Sequence, residues 1–102
     1  MSPETEEAIQ AARADYYQAV RAAHKKWDST VEVARNEFRS AIEKAGQQST
    51  DPESYKAGLA KIREQYEGAL GRGLVDHALA LKNARNDLQQ KAEKLGIPLR
   101  LA

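Results

Sequence analysis

The chain has 102 residues, with 16 basic side chains against 15 acidic ones for a formal charge of +1, and no cysteine. This length fits one small domain, the balanced charge gives no global pull toward nucleic acid or membrane, and the lack of thiols excludes disulfides and thiolate metal sites. Mean hydropathy is −0.73, and no apolar run approaches the roughly 20 residues needed to span a bilayer.

The stretch from Met1 to Glu7 is polar and acidic, unlike a signal or transit peptide, and the expected location is the cytoplasm. A first helix is predicted from about residue 3 to 45. Ser2 is its cap, Pro3 its first helical residue, and Glu4, Glu6 and Glu7 face the positive end of its dipole. No proline or glycine interrupts until Gly46, which is predicted to take the left-handed conformation after the helix, with Lys44 facing its negative end. Residues 46–51 form the turn. Asp51, Pro52 and Glu53 repeat the opening grammar and start a second helix, predicted over about 52–95. Gly96 and Pro98 end it, and the alternating apolar residues of 96–102 read as an extended tail.

Apolar residues of the first helix recur every eleven positions. Ile9, Val20, Val31 and Ile42 form one row, Ala12, Ala23, Ala34 and Ala45 a second, and Tyr16, Trp27 and Phe38 a third. Eleven residues in three turns is about 3.67 per turn, so the stripe drifts little and any supercoil is weakly right-handed. The second helix carries the same rows fifty positions on: Leu59, Leu70, Leu81 and Ala92; Ile62, Gly73, Ala84 and Leu95; Tyr66, His77 and Leu88. Ala34-Arg35-Asn36-Glu37-Phe38 also resembles Ala84-Arg85-Asn86-Asp87-Leu88, which points to an internal duplication of one helix.

The predicted fold is therefore all-α: an antiparallel two-helix hairpin, coiled-coil-like, with an eleven-residue repeat. A turn over 46–51 pairs Trp27 with Leu70, Tyr16 with Leu81, Phe38 with Leu59, Val31 with Tyr66, Val20 with His77, Ile9 with Leu88 and Ala23 with Gly73. In this register large rings face aliphatic side chains. Gly68, Gly71 and Gly73 weaken a helix interior. The rows keep phase through them, so the second helix is expected to be continuous, with room there for the Trp27 indole.

A seam this thin is marginal alone. Leu74, Val75, Ala78 and Leu79 form a second apolar strip on the second helix, the expected surface for a homodimer that makes a four-helix bundle, or for another protein partner. Arg21, His24, Lys25, Lys26 and Arg72 make a basic belt at mid-length, suited to an anion or nucleic acid. The two histidines lack the Glu-x-x-His spacing of a bundle metal site, and cations surround them, so no metal and no cofactor is expected. No nucleophile set or phosphate loop is recognisable. The expected function is a non-enzymatic helical interaction protein, an adaptor, scaffold or small regulator or inhibitor. The alternative is nucleic-acid or anion binding through the belt.

Overall fold

A computed structural model describes residues 2–97 of the chain. The extended tail expected over 96–102 falls outside the described residues from 98 onward. The fold is an all-α antiparallel helical hairpin of two helices, α1 (Pro3–Gln48, 46 residues) and α2 (Pro52–Lys94, 43 residues). Two compact units divide it. Unit 1 pairs Met1–Lys25 with Asp76–Ala102, and unit 2 is Lys26–Val75, which contains the turn.

The helix ends follow from their capping residues. The Thr5 N–H donates to Ser2 Oγ at 3.2 Å, and the Ser2 and Thr5 hydroxyls are 2.8 Å apart. At the start of α2 the Ser54 N–H and hydroxyl both donate to the Asp51 carboxylate, at 2.8 and 3.0 Å. Those bonds, the backbone one first, hold the Asp51 carboxyl below its ordinary range. At the far end of α2, Gly96 has φ 71°, its N–H donates to Glu93 O, and the Ile97 N–H donates to Ala92 O at 2.9 Å. These two bonds make a Schellman cap, for which a residue without Cβ is the natural choice.

Gly46 behaves differently from expectation. It lies inside α1, and the Ser49 N–H still donates to Ala45 O at 3.0 Å. Nothing in the chain after Gly46 forces a stop, since Gln47 and Gln48 are good helix formers. The helix therefore runs past Ala45 to Gln48, and only Ser49, Thr50 and Asp51 remain for the turn. Lys44 is left more than one turn from the end it was expected to complement. Gly68, Gly71 and Gly73 all lie within a continuous α2.

The shorter turn resets the register. Lengthening α1 moves the turn's midpoint along the chain, and each apposed pair moves by twice that shift. The Phe38 ring lies against the Tyr66 ring, with centroids 4.7 Å apart. Trp27 and Thr30 press on the backbone of Gly73. His77 meets the His24 ring. The rule that rings face aliphatics therefore fails in unit 2, where two rings stack.

The eleven-residue lattice survives this shift. Inward positions of α1 begin at Thr5, Ala8, Ile9 and Ala12 and recur at steps of eleven, with Ala19 exposed as the exception. Those of α2 begin at Tyr55, Gly58, Leu59 and Ile62 and recur in the same way, with Gly68 as the addition. The two sets are fifty positions apart, the offset of the sequence rows. In that lattice Ala12, Ala23 and Ala34 are buried, and so are their counterparts Gly73 and Ala84, while Ala45, Ile62 and Leu95 at the row ends are half-buried. Small side chains let two helices approach closely, and the larger Tyr16, Trp27, Phe38 and Tyr66 flank them half-buried. Leu70, Leu81 and Leu59 are half-buried as well, while Leu88 is 2% exposed.

Candidate interaction surfaces

The seam uses up most large apolar side chains, and those left over define the first candidate surface. In α2 the inward positions 66, 69, 70 and 73 are followed by 77, 80, 81 and 84. Leu74, Val75, Ala78 and Leu79 fall in the gaps of this series and point outward. Leu74 is 54% exposed, Val75 67% and Leu79 53%, and Ala78 is exposed too. The first two belong to unit 2 and the last two to unit 1, on consecutive turns of one helix. Tyr17 and Val33 are large exposed apolar residues of α1.

The belt residues Arg21, His24, Lys25, Lys26 and Arg72 are all exposed. Arg21, His24 and Lys25 belong to unit 1, Lys26 and Arg72 to unit 2. A Cβ placed on Gly68 would lie 3.4 Å from an Arg72 guanidinium nitrogen, so that side chain folds back along its own helix. The Thr30 hydroxyl donates to Lys26 O at 2.9 Å, a bond one turn back along α1.

His24 and His77 form a pair that the sequence reading did not join. Their Nδ1 and Nε2 atoms are 3.1 Å apart, and their ring centroids 5.0 Å. The pairing follows from the shifted register, and no motif announces it. The pair offers two nitrogens to a cation, and among the described residues no group of three or more His, Asp or Glu side chains gathers where a metal ion would sit.

Elsewhere in unit 1 one lysine is shared by two carboxylates. Lys91 Nζ lies 3.2 Å from Asp15 across the helix pair and 2.9 Å from Asp87 one turn back. Asp87 first and Asp15 second push the Lys91 ammonium above its ordinary value. In unit 2 a void of about 70 Å³ is lined by Ala34, Phe38, Ala41, Ile62 and Tyr66 among others. It is well below the several hundred Å³ of a usual ligand pocket. Among the described residues no helix is long and apolar enough to cross a membrane. Compared with family models, characterised proteins and solved structures, the chain finds no match.

Proposed function

We propose that the protein is a non-enzymatic helical interaction protein that associates with a second copy of itself through the outer face of α2, as the core of an adaptor, scaffold or small regulator. The observation that carries this reading is the exposure of Leu74, Val75 and Leu79, each more than half open to water on successive turns of one helix. Contiguous exposed apolar residues of this size mark interaction sites more often than idle surface.

A further fact supports a second copy as the occupant. Among the described residues the buried apolar side chains are five alanines with Ile9 and Leu88, little core for a chain of 102 residues. Two hairpins joined along α2 make a four-helix bundle, which supplies the missing burial without enlarging either chain.

The test is light scattering on the wild type and on a Leu74→Lys, Val75→Gln, Leu79→Lys variant. The wild type at micromolar concentration is expected at twice 11.3 kDa. The variant is expected at the monomer mass with its helical circular dichroism retained. A wild-type monomer refutes the reading, and so does a variant that still dimerises.

A further inference from the structure

The outer apolar strip of α2 is flanked by charges of opposite sign. On an eleven-residue lattice, residues eleven positions apart stand on one line of the helix, three turns from each other. Glu64 is on the line of Val75 and Glu67 on that of Ala78, both before the strip in the chain. Lys82 is on the line of Gly71 and Arg85 on that of Leu74, both after it. None of the four occupies an inward position of α2, and all four are exposed. Further out on the same lines stand Arg63, Lys56 and Glu53 on one side and Glu93 on the other. The separation of sign is therefore confined to the turns next to the strip.

Val75 marks the centre of this pattern. Glu67 lies eight positions before it and Lys82 seven after, and Glu64 lies eleven before it and Arg85 ten after. At about 1.5 Å of rise per residue, the members of each couple stand at nearly equal heights from Val75. Two copies can lie along α2 in the same direction or in opposite directions, and both arrangements are two-fold and close on themselves. Charge decides between them. The parallel arrangement sets Glu67 against the partner's Glu67 and Lys82 against the partner's Lys82, and like charges across an interface are strongly disfavoured. The antiparallel one, with its axis at Val75, sets Glu67 against the partner's Lys82 and Glu64 against the partner's Arg85, twice each. The same axis brings Leu79 to the height of the partner's Gly71. An added Cβ at Gly71 has nothing within 4 Å in the hairpin, so a leucine side chain has room there.

We propose that the outer strip of α2 docks on the same strip of a second copy running in the opposite direction, centred on Val75, with Glu64 and Glu67 reaching the partner's Arg85 and Lys82. This rests on the association through α2 proposed above and adds its direction and register. The apolar residues between the charges supply most of the affinity, and the charges select the orientation.

The experiment is sedimentation equilibrium of the full chain at low salt, on the wild type and three variants. One carries Glu64→Lys with Glu67→Lys, one carries Lys82→Glu with Arg85→Glu, and one carries all four substitutions and so keeps the wild-type net charge of +1. Each two-site variant is expected to raise the dimer dissociation constant at least roughly tenfold, because unlike pairs become like pairs. The four-site variant is expected to return to the wild-type value, because every pair is again of opposite sign. It contains every substitution of the other two, so its recovery excludes a folding defect as the cause of their loss. If the wild type is dimeric and the two-site variants dimerise equally well, the orientation is overturned and association through α2 stands. A four-site variant as weak as the two-site ones also overturns the orientation. A monomeric wild type overturns both.

Discussion

In unit 2 the seam is closed by rings: Phe38 lies on Tyr66, and Trp27 presses on the bare backbone of Gly73. In unit 1 it is closed by small and aliphatic side chains, with Ile9, Ala12, Ala23, Ala84, Leu88 and Ala92 all buried, and polar contacts at its edges join His24 to His77 and Asp15 to Lys91. Both units use the same eleven-residue lattice. The lattice sets which positions face inward, and the side chains placed there set how each pair is held. Unit 2, where ring and backbone meet, is intolerant of added atoms. Unit 1, where aliphatic chains are buried outright, is intolerant of removed ones.

The largest effect that sharpens this contrast is Leu88→Ala. Leu88 is 2% exposed, and its truncation is expected to cost about 3 kcal/mol in urea unfolding. A loss below about 1 kcal/mol would mean that unit 1 collapses around the gap. Next comes Gly73→Leu in unit 2. A Cβ at Gly73 would already sit 2.8 Å from Thr30 Cγ2 and 2.9 Å from Trp27 Cζ3, and neither the β-branched threonine nor the rigid indole yields cheaply. The expected loss is about 2 kcal/mol after the gain in helix propensity is counted. Gly71 is the control two residues earlier. Nothing lies within 4 Å of a Cβ there, so Gly71→Ala is expected to stabilise by about 0.5–1 kcal/mol. If both glycine variants shift the midpoint in the same direction, Gly73 does not mark a close approach.

Two smaller effects test the polar details. Asp51→Ala removes the cap of α2 and is expected to lower the melting midpoint slightly. Because the folded-state Asp51 carboxyl titrates below its ordinary range, the cap's contribution is present at neutral pH and disappears as pH falls below about 4. The difference between wild type and variant should therefore close in acid. Lys91→Ala has the smallest effect, since the ion pairs are well exposed to solvent. The raised Lys91 value places its contribution below the ordinary lysine range, with loss as pH rises past about 10. The small destabilisation should also shrink with added salt.

The period of the apolar rows was legible in the sequence because burial follows it along both helices, including through Gly68, Gly71 and Gly73. The caps at Ser2, Asp51 and Gly96 were legible because each residue has few other reasons to stand there. The register was not. Gly46 and Gly96 follow the same local pattern, yet only Gly96 takes positive φ. What separates them is the residue that comes next: Gln47 continues a helix, whereas two residues beyond Gly96 stands Pro98, which cannot. Misplacing the end of α1 by about one turn hid the Phe38–Tyr66 and His24–His77 contacts. The outward position of Leu74, Val75, Ala78 and Leu79 was legible, because a strip outside a period can be read from the period alone.

That outward strip is open to a direct test. The native chain has no cysteine, so a single introduced thiol reports only on contact between copies. Val75→Cys on the outer face of α2 is to be compared with Arg39→Cys, an exposed position on α1, under mild oxidation at micromolar concentration. Association through α2 predicts rapid formation of a covalent dimer from Val75→Cys and slow, concentration-driven cross-linking from Arg39→Cys. Equal rates at the two positions would contradict association through α2.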